Sequence, residues 1–295
     1  MTRTRVAVVL GGDPADRAAI TSGLLADAGL TALVLTGHPE AVDPRLDTSD
    51  AGPVEVRPDD PAARVEAYRS GAADPDDDVL AALSAGGDSP LAAVLGWEYA
   101  RRAAASGYWD LVVVEVDGDL AAVRRIAAAG ELAAFVETRW PANVRFASMA
   151  AGTRADSRVR EAHRLALLAG DVADFLAGPL EVIVAGRSSE RTAAMAALAR
   201  GAVRPEVVAD GHGGYRVEYP VPTAPSAPPS VEGDRLRLEH DGFRAVLGLP
   251  SLLTRCVLVD SAFDAGAGLV RLRFLPDPDL WPENLVPTGS AGGAG

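Results

Sequence analysis

Four short apolar runs constrain the fold of this chain more than any other feature: residues 5–10, 30–35, 111–116 and 180–185, each rich in valine or leucine. Each is too short for a helix and apolar at successive positions, the pattern of strands covered on both faces in a parallel sheet. Helical periodicity fills the intervals, at residues 15–28, 91–106, 119–139 and 159–175, and residues 190–200 form a further short helix. Strands alternating with helices predict a doubly wound parallel sheet. Its opening βαβ unit is short and expected to be right-handed. The interval 44–78 is rich in Asp, Pro and Ala and weakly patterned, which predicts a surface excursion.

The pattern changes near residue 214. Residues 215–221 alternate like a strand, and 220–229 are proline-rich, as in a linker or loop. Short alternating segments follow at 235–239, 243–249, 256–259 and 269–274, separated by glycine turns; these predict a small β-sandwich. The expected organisation is the doubly wound domain over 1–213, a β-domain over 214–287 and a flexible glycine-rich tail over 288–295.

All 28 basic residues are arginine, and lysine is absent. Schiff bases, aldimine cofactors and the lysine of a phosphate-binding loop are thereby excluded. The 41 acidic residues bring the formal charge to −13, which argues against a nucleic-acid partner or an anionic-membrane binder. One cysteine, Cys256, can form neither an intrachain disulfide nor a thiolate metal cluster. The apolar run at residues 6–10 ends at Gly11-Gly12-Asp13, too soon for a signal sequence. No stretch approaches the ~20 apolar residues of a membrane span. A cytoplasmic protein without stable membrane insertion is expected.

A strand, a glycine turn and a helix N-terminus together make a phosphate cradle, since backbone N–H groups and the helix dipole face the anion. The full loop is G-x-x-x-x-G-K-[ST]. Here Gly11 takes the first glycine, Asp16 the second, Arg17 the lysine and Ala18 the magnesium-binding hydroxyl, while Pro14 removes one N–H donor. Asp13, His38, Glu115, Asp117 and Asp119 fall at or just beyond the carboxyl ends of expected strands, where open α/β sheets bind ligands. Solvated loop acids, a new ligand or partner contact, and acid–base chemistry are the readings open to this group. His163, His212 and His240 lack metal-ligand spacing, and Ser188-Ser189-Glu190 reads as a helix cap.

The chain resembles the ArsA-type anion-transporting ATPases, relatives of arsenite pumps and tail-anchored-protein-targeting ATPases. The resemblance rests on the degenerate loop, on Leu35-Thr36-Gly37-His38-Pro39-Glu40-Ala41, and on Ser106-Gly107-Tyr108-Trp109-Asp110 running into the third strand. It rests also on Trp140-Pro141 and on the C-terminal string Arg271-Leu272-Arg273-Phe274-Leu275-Pro276-Asp277-Pro278-Asp279-Leu280-Trp281-Pro282. It implies a P-loop-NTPase-like sheet with a shortened helical subdomain, and a small-heat-shock-like β-domain at the C-terminus. The family's signature and P-loop lysines fall on Gly12 and Arg17, its magnesium hydroxyl on Ala18, and its switch aspartates on His38 and Glu115. The Ala-Pro-Thr segment becomes Asp117-Gly118-Asp119, and an adenine-contacting asparagine becomes Gly186. The resemblance therefore implies a pseudo-ATPase whose vestigial pocket is Gly11, Gly12, Asp13, Arg17, Ala18, His38, Glu115, Asp117 and Gly186. No catalytic residue, no metal site and no cofactor is expected, and at most weak nucleotide binding. Implied partners are a second copy or an active ArsA-like paralogue. The alternatives are a vacated pocket reused for a small molecule or an enzyme of secondary metabolism, and a chaperone-like module.

Overall fold

The computed structural model describes residues 4–26, 29–42, 53–72, 75–84, 89–118, 120–150, 152, 156–186, 189–200, 205–221, 224–240 and 243–281. The chain divides into two compact units, Met1–Ala193 and Ala194–Gly295.

The first unit runs β1 (Arg5–Gly11), α1 (Pro14–Leu25), β2 (Ala32–Thr36), β3 (Val54–Pro58), α2 (Pro61–Gly71), α3 (Asp77–Ser84), α4 (Pro90–Ala105), β4 (Leu111–Asp117), α5 (Leu120–Arg139), α6 (Ala142–Ala150), α7 (Ser157–Ala177) and β5 (Glu181–Val184). The strands form an all-parallel sheet in the order β3-β2-β4-β1-β5. β1 and β2 are therefore not neighbours, because β4 lies between them. The connection leaving β1 passes over β4, and the one leaving β4 passes over β1. Right-handed crossovers in opposite directions put their helices on opposite faces. A crevice opens where the directions diverge, at the carboxyl ends of β1 and β4. The side chains alternate between the two faces. Ala7, Val9, Val34 and Val113 share one buried cluster with Leu25, against which Ile20 and Leu24 of α1 pack.

The expected excursion over 44–78 is corrected by the structure, because it holds edge strand β3, all of α2 and the start of α3. Its acids and prolines are punctuation. Asp60 caps α2 by accepting from Ala63 N, and Pro61 fills the first turn, where an N–H has no intrahelical partner. β3 alternates because it is an edge: Val54 and Val56 lean on the core, while Glu55 and Arg57 pair with each other. Among the described residues, no helix is long and apolar enough to cross a membrane.

α8 (Ser189–Ala199) crosses the division between the units. The second unit then contains β6 (Val207–Ala209), β7 (Tyr215–Pro220), β8 (Ala227–Glu232), β9 (Arg235–His240), β10 (Phe243–Gly248), β11 (Cys256–Asp264) and β12 (Leu269–Pro276). They form two antiparallel sheets, β10-β9-β8 and β11-β12-β7-β6. The proline-rich stretch is not all linker, since Pro228 and Pro229 lie in β8. That strand is an edge with an irregular register, where a missing N–H is tolerated. β6 precedes residue 214 yet pairs with β7. Leu236, Leu238, Ala245, Leu247, Val217, Tyr219, Val270, Leu272 and Phe274 are buried at alternate positions.

Asp210 ties the turn between β6 and β7 to β12. Its carboxylate accepts from Arg273 Nε at 2.6 Å and from the backbone N–H groups of His212 and Gly214, each at 2.8 Å. The Arg273 bond, and then those two, hold it down at about 2. A depressed carboxylate stabilises fully above its unfolded value, ~3.9, and loses the contribution as pH falls toward 2. Asp210→Asn is expected to flatten acid unfolding of the second unit between those limits, as followed by circular dichroism.

Candidate functional site

The crevice at the ends of β1 and β4 is built from three segments that the strands bring together. Gly11 ends β1 in register with Asp117 of β4, and Gly118 N donates to Gly11 O at 3.0 Å. A glycine is required at position 11, because a β-carbon would come within 2.9 Å of Ala185 Cβ just beyond β5. Gly12 is exposed. Asp13 caps α1, its Oδ1 accepting from Ala15 N at 2.8 Å. An internal carboxylate thus holds a first-turn donor that a bound anion would use, and Pro14 supplies none. Asp16 is exposed on the same turn. Its carboxylate lies toward Gly186, whose φ of +89° turns the chain after β5.

Arg17 does not point outward as a phosphate-binding cation would. Its side chain is 1% exposed; Nη1 donates to the Gly11 carbonyl and pairs with Asp117 Oδ1 at 2.7 Å. Asp117 is itself 60% exposed, and its second oxygen lies 3.5 Å from His38 Nε2. The other ring nitrogen of His38 is 3.4 Å from Glu40. The guanidinium thus sits beneath the glycine turn, bonded to the first residue of the loop and neutralised from β4. Ala18, the next residue, is buried and brings no oxygen.

Glu115 lies two residues below the sheet edge, in register with Val9, and is 2% exposed. Thr21 of α1 donates to Oε1 and Thr36 of β2 to Oε2, the latter at 2.7 Å. Both oxygens are engaged inside the fold. Thr36 Oγ1 also accepts from His38 N at 3.1 Å, which fixes the start of the turn after β2.

Of the expected pocket residues, Gly11, Arg17, Asp117 and His38 form one connected network. Glu115 joins α1 to β2 below it, and Asp13 serves its own helix. Asp119 lies outside the described residues. Among the described residues, no group of three or more His, Cys, Asp or Glu could hold a metal ion.

Sequence reasoning missed the partners of these groups. Thr21 carries no local signal for a bond to a residue 94 positions away. It also missed a buried ion cluster near the carboxyl ends of β2 and β3. Asp59 N donates to Thr36 O at 2.7 Å, and its carboxylate, 3% exposed, faces Arg64 of α2 with one oxygen and Arg125 of α5 with the other. Gly96 of α4 makes room for both guanidiniums, since a β-carbon there would come within 2.8 Å of Arg64 Nη1 and 3.0 Å of Arg125 Nη2. The one available signal was the Asp59-Asp60-Pro61 triplet, which reads only as a helix cap. No protein-family model matches the chain, and no curated protein matches it either.

Proposed function

We propose that this chain is a cytoplasmic, ArsA-like pseudo-ATPase, acting by binding as a homodimer or as the non-hydrolysing partner of an active ArsA-like paralogue. The observation that carries this reading is the inward turn of Arg17, whose guanidinium is engaged by Gly11 O and Asp117. Phosphoryl transfer needs donors and a metal aimed at the transferring phosphate. In this loop Asp13 takes one backbone donor, Pro14 offers none, Ala18 has no hydroxyl, and Glu115 is bonded to two threonines. Asp13 and Asp16 add negative charge where a triphosphate would lie, Arg17 being already neutralised by Asp117, and like charges a few ångströms apart repel.

A thermal-shift titration with ATP, ADP and Mg²⁺, joined to a phosphate-release assay, tests the reading. Nucleotide at a hundred times its Kd would add about 2.7 kcal/mol, a shift of several degrees. The expected result is no shift and no phosphate release; saturable binding with turnover would overturn the proposal. Co-purification of a paralogue with an intact loop would support the partner role, and a chain alone with no self-association would count against both binding modes.

A further inference from the structure

Beside the Asp59 cluster, α2, α4 and α7 line a solvent-open cavity of about 240 Å³. Its walls are Leu95, Leu168 and the rings of Tyr68 and Tyr99, with Arg64 and Arg102 also lining it. The polar groups of two walls are already engaged. Tyr68 donates its hydroxyl to the fully buried Glu161 at 2.7 Å, and Glu98 accepts from Arg101 Nε and Arg102 Nε, each at 2.6 Å. Arg64 differs. Asp59 is the only carboxylate paired with it among the described residues, and Arg125 claims the other oxygen of that carboxylate. Two largely buried cations therefore share one anion. Burial, and then the charge of Arg125, bring the Arg64 guanidinium down to about 10, so it is still a cation at neutral pH. Around the cavity, Arg64, Arg125, Arg101 and Arg102 face Asp59, Glu98 and the more distant Asp171, leaving one positive charge in excess on a chain of net −13.

A surplus buried cation opening onto an apolar cavity calls for an anion with an apolar body. Arg64 Cζ lies over the Tyr99 ring, 5.8 Å from its centroid, and Nη1 pairs with Asp59, which leaves the rest of the guanidinium fork to receive a carboxylate. The volume falls below the ~300–1,000 Å³ of drug-sized sites, which limits the body to about one ring. We propose that this cavity binds a small monocarboxylate carrying one aromatic or branched apolar group. The carboxylate rests on Arg64, and the body lies between Tyr68, Tyr99, Leu95 and Leu168. The site is separate from the crevice at β1 and β4, so it stands whether or not the chain binds nucleotide.

Calorimetric titration of the full chain with 3-phenylpropanoate and with its neutral amide tests this assignment. The acid is expected to bind saturably, and the amide at least about tenfold more weakly, since a hydrogen bond to a charged group is worth about 1.5–3 kcal/mol. Arg64→Gln is expected to weaken the acid by a similar factor. Ala67 lines the cavity from α2 and forms no part of the ion cluster, so Ala67→Phe is expected to fill the cavity and abolish binding with the melting temperature retained. No binding of the acid, equal binding of acid and amide, or binding that persists in folded Ala67→Phe would each overturn the proposal.

Discussion

Replacing Asp59 with alanine is expected to destabilise the first unit by about 3–5 kcal/mol, the usual cost of stripping one partner from a buried ion cluster. The loss is large because of what the variant leaves behind. Arg64 and Arg125 would face each other across Gly96 with no anion between them, and with too little water to screen them. Burial already lowers both guanidiniums to about 10, which shows how poorly the site solvates charge even with Asp59 in place. Removing all three charges is expected to be far milder. Asp59→Leu with Arg64→Met and Arg125→Met should recover most of the loss, because apolar groups of similar volume avoid the desolvation cost altogether. Urea denaturation followed through Trp97, Trp109 and Trp140 of the first unit reads both variants. A single variant no worse than the triple one would show that the cluster is solvated and worth little.

How far the chain could be read without coordinates follows from where each signal lives. The three inner strands β1, β2 and β4 were legible because apolar residues at successive positions have one explanation, burial on both faces. Edge strand β5 was legible because Val182, Ile183 and Val184 keep the same apolar run though only half-buried. β3 was not, because this edge strand keeps polar residues on its open side and resembles a loop in composition. α6 was missed for a related reason. It buries its arginine, Arg145, against Glu137 and the Trp140 carbonyl, and exposes Val144, Phe146 and Met149, which inverts the usual pattern. The placement of the pocket residues at strand ends was legible from the strand boundaries alone. Their directions were not. Nothing in Arg17 or Glu115 tells whether the side chain turns toward solvent or inward. That choice depends on Asp117, Thr21 and Thr36, which reach them only through the strand order β2-β4-β1.

The direction of Glu115 leads to the other large effect. Glu115→Ala is expected to cost about 2–4 kcal/mol, through a cavity and two stranded hydroxyls. Glu115→Gln is expected to stay within about 1 kcal/mol of the parent, since a threonine hydroxyl can turn to accept from an amide N–H as readily as it donates to a carboxylate. The contrast separates two roles for a carboxylate at this strand end. A group held ready for a metal or a phosphate is commonly kept at a cost to stability, and its removal is neutral or stabilising. A group that joins α1 to β2 through Thr21 and Thr36 is missed when it is gone. Thr21→Val and Thr36→Val should each cost about 1 kcal/mol alone and add little to Glu115→Ala, because the bonds they remove are already lost. Denaturation midpoints of the four single variants, and of the two doubles that join Glu115→Ala to Thr21→Val or Thr36→Val, decide between the roles. If Glu115→Ala were as stable as the parent, the carboxylate would be free for chemistry, and the pseudo-ATPase reading would lose one of its supports.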